Sequence, residues 1–318
     1  MPEITVGQRR WAVAAGANLL DALNAQGLNV PYSCRAGSCH ACLVHCLRGE
    51  PRDNQPAALD AGKHAEGWRL ACQCQVVEDL SVAVFDPATD GVPARVEACD
   101  WLSPEVLRLR LQPSRPLRYQ AGQHLVLWTE SGVARPYSLA SLPQEDRFLE
   151  FHIDCRHPGA FVDVAKDFRV GDLVRLGELR AGALRYDPDW QDCPLWLLAA
   201  GTGLAPLYGI LREALRQRHA GEIRLVHLAR DARQHYLASE LSTLAANHPS
   251  VRIERVLPED FSQALAGLRP SSRRVHALVC GSPASVEAYS KRLFLGGVPR
   301  NQVLADVFTG REGGGYPS

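Results

Sequence analysis

The segment VPYSCRAGSCHACLVHC, residues 30 to 46, sets cysteines at 34, 39 and 42, at intervals of five and three. With ten cysteines in 318 residues, a given cysteine meets both intervals by chance roughly once in a thousand. Coincidence is a poor account of such a loop. The opening MPEITVGQRR has no basic-then-apolar leader, so the expectation is a cytoplasmic chain. In a reducing compartment ten cysteines are not a disulfide framework, and metal or redox roles come forward.

The length suggests two or three units of ordinary size. DPATDGVPAR, residues 86 to 95, gathers two prolines, a glycine and charges, and reads as a linker. Beyond it, VLRLRL puts Leu107, Leu109 and Leu111 on one face and Arg108 and Arg110 on the other; FLEFHI repeats the alternation. Antiparallel strands with one buried face are expected over roughly 95 to 188. From about 193, the short apolar runs PLWLLAA, IRLVHLA, VRIERVL and VHALVCG alternate with helical stretches such as LYGILREALRQRH and SVEAYSKRLFL. That order predicts a doubly wound parallel sheet. Residues 194 to 211 carry no charge over eighteen positions, but three glycines and two prolines break the run. A strand, a tight turn and a helix are expected there, with no membrane span. A net charge of zero leaves no electrostatic footprint for nucleic acid or an anionic membrane.

Cys34, Cys39 and Cys42 have the C-x4-C-x2-C spacing of plant-type 2Fe-2S ferredoxins, which use a distant fourth cysteine. Cys72, in RLACQC, fits that role. Two irons bridged by two sulfides need four terminal thiolates, three from a wrapped loop and one from a strand folded against it. Gly37 and Ser38 let the loop backbone approach the sulfides. GANLLDALNAQGLNVPYSC resembles the helix and entry strand that precede the loop in these ferredoxins, with Leu19, Leu20 and Leu23 on one helical face. The resemblance covers about residues 1 to 88. Structural zinc is the rival reading, but zinc hairpins pair cysteines two to four apart. Cys46 and Cys74 are read as non-ligand thiols, and His40, His45 and His64 as satisfied surface groups.

ARPYSLAS, residues 134 to 141, follows the predicted strand GQHLVLW and resembles the R-x-Y-S flavin motif of the ferredoxin-NADP reductase superfamily. Arg135 suits a flavin phosphate, Tyr137 can stack on the ring with Pro136 between them, and Ser138 can hydrogen-bond near flavin N5. The superfamily's second phosphate clasp has a hydroxyl residue three positions after a glycine. Here Gly159, Ala160 and Phe161 are followed by Val162, leaving backbone amides for the diphosphate. LLAAGTGLAPLYGIL resembles the GTG-x-AP nucleotide element through Gly201, Thr202, Gly203 and Pro206. LVCGSP resembles the second signature and would set Cys280 and Gly281 beside the nicotinamide. VLADVF ends with Asp306 and Phe308, where relatives have an acid and an aromatic near the isoalloxazine; Tyr316 follows in the tail. Arg230, with Arg233, stands where a 2′-phosphate could be read, and Asp231 where a 2′-hydroxyl could.

Taken together, the chain resembles oxygenase reductases of the ferredoxin-NADP reductase superfamily with an N-terminal ferredoxin, such as benzoate dioxygenase reductase and methane monooxygenase reductase. The resemblance implies a multidomain α+β and α/β protein. A β-grasp ferredoxin domain (1–88), an antiparallel β-barrel flavin domain (93–190) and a nucleotide domain (192–318) are expected. It implies a 2Fe-2S cluster, FAD in preference to FMN, and NADH or NADPH as donor, with NADH favoured. Ser138, Cys280 and Asp306 are the expected catalytic group. The resemblance implies a monomeric reductase that feeds a redox partner protein such as an oxygenase component. Two alternatives stay open: a reductase of a sugar-nucleotide or other small molecule, and an electron carrier without nucleotide turnover. Residues 1 to 92 hold seven basic and ten acidic groups, so strong electrostatic steering of the partner is not expected. Arg35 is expected at the rim of the contact.

Overall fold

The structure is a computed structural model that describes residues 1–32, 34–37, 39–180, 182–270 and 272–308. Ser38 and Tyr316, both named above, lie outside the described residues. Among the described residues the strands pair into four sheets.

The first stretch runs β1 (Glu3–Val6), β2 (Arg9–Ala12), β3 (Ala17–Asn18), α1 (Leu19–Asn24), β4 (Leu43–Arg48), β5 (Arg52–Asp53), α2 (Ala61–Ala65), β6 (Trp68–Leu70), β7 (Cys74–Val76) and β8 (Leu80–Val84). The main sheet has the order β2-β1-β8-β4-β6, with β1 and β8 parallel and the rest antiparallel. Helix α1 starts at the Asn18 cap, whose side chain accepts from the Asp21 amide at 3.2 Å. Its Leu19, Leu20 and Leu23 are fully buried against Ile4, Val44, Leu80 and Val82. A mixed sheet grasping one helix is the β-grasp arrangement.

The second stretch holds β9 (Val92–Ser103), β10 (Val106–Pro113), β11 (His124–Trp128), β12 (Ala134–Ser138), β13 (Leu149–Asp154), α3 (Ala160–Lys166) and β14 (Leu173–Arg180). These strands pair antiparallel in the order β12-β11-β14-β9-β10-β13, and a Leu139–Phe151 bridge closes the ends into a barrel. The stretch read as a linker is shorter than expected. Asp86 to Asp90 form a turn, held by the Asp90 amide on the Asp86 carbonyl at 2.8 Å, and Val92 already pairs within β9. Strand β10 alternates as its leucines require, but β13 does not: Glu150 and His152 are 6% and 4% exposed. Both faces of β13 are covered because Tyr236, from the third unit, packs edge-on against His152 with ring centroids 5.2 Å apart.

The third stretch runs β15 (Leu195–Ala200), α4 (Leu204–Arg216), β16 (Ile223–Leu228), α5 (Ala238–Asn247), β17 (Val251–Val256), α6 (Phe261–Ala266), β18 (His276–Gly281), α7 (Pro283–Leu295) and β19 (Val303–Val307). All five strands are parallel, in the order β17-β16-β15-β18-β19. The order reverses between β15 and β18, which opens the crevice where such sheets bind ligands. Separate apolar clusters fill the two faces. One is continuous with Val106, Ala121 and Leu184 of the barrel, so these two units share a core. No helix among the described residues is long and apolar enough to cross a membrane.

Candidate functional site

The loop between α1 and β4 bends through left-handed residues at Arg35, Gly37 and His40. Gly37 has φ +77°, and a Cβ there would lie 2.8 Å from Gln55 Oε1, so glycine is favoured at this turn. Inside the bend the sulfurs meet as two pairs, Cys34 with Cys39 and Cys42 with Cys72, and the pairs act on each other electrostatically. The amides of Ala36 and Cys39 each donate to Cys34 Sγ at 3.3 Å, the Cys34 amide to Cys39 Sγ at 3.5 Å, and Gln73 Nε2 to Cys72 Sγ at 3.4 Å. Cys42 and Cys72 share a hydrogen bond, which pulls the Cys72 thiol down to about 6 while the Cys42 thiol is pushed well up by the same bond and by burial. The Cys39 thiol rises because of its hydrogen bond with Cys34, with burial adding to it. Four sulfurs this close cannot all ionise without a cationic centre among them, and amides aimed at sulfur suit an iron–sulfur cluster. The donor set therefore fits 2Fe-2S. Cys74 is fully buried and Cys46 sits in β4 with its thiol raised to about 11 by burial. Of the histidines, His45 stacks on Trp68 at 4.7 Å and His64 approaches Asp53 at 3.5 Å. His40 is half-buried, and burial, then the Arg180 charge, pushes its pKa down to about 4.

The loop rests on the barrel. Ala41 packs with Val126, Trp128 and Ala134, joined by Cys39 and Phe85, whose ring stacks on Trp128 at 5.4 Å. His124, opening β11, brings Nε2 to 3.3 Å from the Cys39 carbonyl and is the cross-strand partner of Ser138. In β12, Arg135 donates to the Ala134 carbonyl at 2.7 Å and Pro136 faces Val126 across the ladder. The Tyr137 ring lies 5.0 Å from Phe161, and burial raises its hydroxyl pKa. Phe161 is 1% exposed in the barrel core, so its side chain supports Tyr137. Gly159, the cap of α3, has open space where a Cβ would stand.

In the third unit the two nucleotide-type turns meet backbone to backbone. A Cβ on Gly203 would lie 2.2 Å from the Cys280 carbonyl, and one on Gly281 (φ +146°) would lie 2.7 Å from Ala200. Gly201 (φ +55°) faces open space, and its carbonyl accepts from His227 Nε2 at 3.2 Å. Burial, then the neighbouring His235, holds His227 neutral with its pKa pushed down to about 3. Thr202 and Pro206 are buried under the turn. Cys280 is 0% exposed, and burial followed by the Asp306 charge raises its thiol. Asp306 is its register neighbour on β19; burial raises that carboxyl, with His124 opposing. The Phe308 amide donates to the Gly281 carbonyl at 2.8 Å, and its side chain packs against the core cluster that includes Cys280. Arg230 pairs with Glu105 of the barrel, and Arg233 is 3.7 Å from Asp231.

Thus Asp306, Cys280 and the glycine turn are neighbours, and His124, the ladder partner of Ser138, meets the cysteine loop and lies within electrostatic reach of Asp306. His124, His227, Gln73 and Tyr236 carry no motif. A lone histidine in an apolar strand was the only sequence signal for the first two.

Two family models match: the 2Fe-2S iron-sulfur cluster binding domain over residues 4–77, and the oxidoreductase NAD-binding domain over 197–291. The chain is 33% identical to the reductase subunit of an aromatic O-demethylase from an Amycolatopsis species, over 90% of this chain and 92% of that one. It is 31% identical to the reductase component of the naphthalene 1,2-dioxygenase system of Pseudomonas putida, over 93% and 94%. Among solved structures, an Amycolatopsis cytochrome P450 reductase superposes with a TM-score of 0.67 at 29% identity, over 98% of this chain and 99% of that one. The ferredoxin reductase of a carbazole 1,9a-dioxygenase has the same fold, with a TM-score of 0.65 at 23% identity over 96% and 98%.

Proposed function

Because this chain belongs to the family of ferredoxin–NAD(P)+ reductase components of oxygenase systems, we propose that it takes hydride from NADH and delivers single electrons to the terminal component of an aromatic oxygenase or demethylase. It is an NAD(P)H-dependent oxidoreductase whose cofactors are FAD and a 2Fe-2S cluster. The observation that carries the proposal is the seating of Cys39 and Ala41 on the flavin strand that pairs with Ser138. The cluster loop then lies directly on the barrel strand paired with Ser138, and Asp306 of the nucleotide sheet acts electrostatically on that strand's His124.

In this reading residues 1–88 hold the cluster through Cys34, Cys39, Cys42 and Cys72, residues 93–190 hold the flavin, and residues 192–318 hold the nucleotide. When bound, FAD converts one two-electron delivery into two one-electron departures. The protein supplies placement. Arg135 binds a flavin phosphate, Tyr137 covers the ring with Phe161 behind it, and the Ser138 hydroxyl donates toward N5. Backbone amides at Gly159 to Phe161 and at Gly201 to Gly203 hold the two diphosphates, since neither turn has a side chain in the way. Cys280 and Asp306 line the hydride path, and Phe308 covers it until nicotinamide enters. The acceptor meets the far side of the cluster loop, where Arg35 lies over Tyr32 at 4.6 Å and pairs with Asp21 at 2.5 Å. The working compartment is the cytoplasm, where reduced nucleotide is made.

The test is an anaerobic titration with NADH and then NADPH, followed by visible absorbance and low-temperature EPR. Stoichiometric flavin bleaching with a rhombic reduced-cluster signal, followed by reoxidation on adding an aromatic oxygenase component, is the expected result. Cofactors that neither nucleotide reduces would leave an electron carrier. Reoxidation by a sugar-nucleotide intermediate alone would leave the small-molecule reductase.

A further inference from the structure

The residue that joins all three units is His124. It is 8% exposed, stands between Ser138 on β12 and Arg180 on β14 in the barrel ladder, and presents Nε2 to the Cys39 carbonyl at 3.3 Å across 85 residues of sequence. Asp306, at the end of the nucleotide sheet, lies near enough to act on it electrostatically. A carbonyl only accepts, so the imidazole donates Nε2–H and the ring is the Nε2–H tautomer. On its other side the ring abuts backbone: a Cβ on Gly182 would stand 3.6 Å from Nδ1. The ring thus has backbone beside Nδ1 and directs Nε2 at the Cys39 carbonyl.

No chemistry in the proposed function needs a histidine here. Burying a polar ring in a strand otherwise filled by Leu125, Val126, Leu127 and Trp128 costs free energy unless its hydrogen bond is made. The apolar contact between loop and barrel, through Ala41, Val126, Trp128 and Ala134, is non-directional. Such a contact resists separation but not sliding, whereas a hydrogen bond to one carbonyl sets a register.

We propose that His124 is a positioning residue that clamps the Cys39 corner of the cluster loop to the flavin strand at Ser138, fixing the distance over which electrons pass from flavin to cluster. The clamp rests on the functional reading above. Tunnelling rates fall exponentially with distance, so a loop free to slide on an apolar seat passes electrons more slowly although both cofactors remain bound.

The experiment uses the holoenzyme and two variants, His124→Leu, which keeps bulk and removes the donor, and His124→Gln, which keeps an N–H of similar reach. After rapid anaerobic mixing with NADH, the flavin band bleaches at the same rate in all three, and ferricyanide, taking electrons from flavin, is reduced equally. The cluster band is expected to bleach at least about tenfold more slowly in the leucine variant, within the roughly hundredfold that a 1 Å misplacement can cost. The glutamine variant recovers most of that loss. In the oxidised proteins, backbone hydrogen exchange over residues 39 to 42 is faster in the leucine variant and near the parental rate in the glutamine variant. A leucine variant with parental cluster bleaching and parental exchange overturns the clamp. So does equal slowing of flavin and cluster bleaching, which would place His124 at the flavin itself. A parental enzyme whose cluster never bleaches with NADH overturns the functional reading instead, and the exchange comparison still reports on the clamp.

Discussion

Cys72 and Cys74 stand two residues apart, yet only one faces the other cysteines. Cys72 accepts from Gln73 and bonds Cys42, while Cys74 begins β7 and is buried among α1 and the small sheet. Cys72→Ala is expected to abolish bound iron and sulfide and the visible cluster absorbance. Cys74→Ala should keep both and cost about 1 kcal/mol of stability, as for other modest core truncations. The reverse pattern would move the fourth ligand to Cys74. Gly203 gives a second test at this scale. Its missing Cβ leaves room for the Cys280 carbonyl, which would otherwise lie 2.2 Å away. Backbone cannot rotate aside as a side chain can, so Gly203→Ala forces the two nucleotide turns apart. The expected cost is about 1–3 kcal/mol, typical of overpacking, with a raised KM for NADH while cluster and flavin content stay parental. An unchanged KM would mean that the two turns part without disturbing the nucleotide.

Strand β13 shows how an element's character is decided from outside it. Its sequence alternates, but Glu150 and His152 are buried because Arg110 of β10 donates to Glu150 at 2.7 Å, His152 lies 2.9 Å from the same carboxylate, and Tyr236 covers the histidine. Burial alone would raise the Glu150 pKa, but the His152 and Arg110 contacts together outweigh it and hold the carboxyl down at about 2. A depressed carboxyl stabilises the fold above its unfolded pKa and loses that contribution as pH falls toward the folded value, a swing of roughly 3 kcal/mol. Glu150→Gln should therefore lower the melting temperature most near neutrality, and the gap to the parent should shrink from about pH 5 down through about pH 2. A gap constant with pH would show that the carboxyl ionises no more easily in the fold. Elements whose partners are local were legible beforehand. The leucine pattern of α1 and the alternation of β10 follow from the periods of helix and strand. The four cysteines were legible because a cluster imposes spacing. His124 and the second face of β13 were not, since each takes its meaning from a residue more than eighty positions away in another unit.

At the scale of the whole molecule, the barrel and the nucleotide sheet are tied by polar contacts around their shared core, and one uses a residue first read as a nucleotide contact. Arg230 follows β16, where a 2′-phosphate could be sensed, but its guanidinium is paired with Glu105 in the β9–β10 turn. Beside it the Ser103 hydroxyl donates to Gln234 Oε1 at 2.7 Å in a buried contact, so the whole turn after β16 docks on the barrel. Asp146 takes both terminal nitrogens of Arg212 from α4, at 2.6 and 2.9 Å. A 2′-phosphate would have to draw Arg230 away from Glu105, which discounts the charge that the sequence offered for NADPH. Because the Arg230 side chain is half exposed, the ion pair itself is worth only about 0.2–1 kcal/mol. The expectation is that Arg230→Ala and Glu105→Ala lower stability by similar small amounts and couple within that range in a double-mutant cycle. The NADPH-to-NADH ratio of kcat/KM should stay within about threefold of the parent, since less than 0.7 kcal/mol of discrimination is then at stake. A ratio that falls more than about tenfold in Arg230→Ala, with no change in Glu105→Ala, would return the arginine to the nucleotide. A matched change in both variants would mean that the barrel turn itself shapes the adenosine site through this pair.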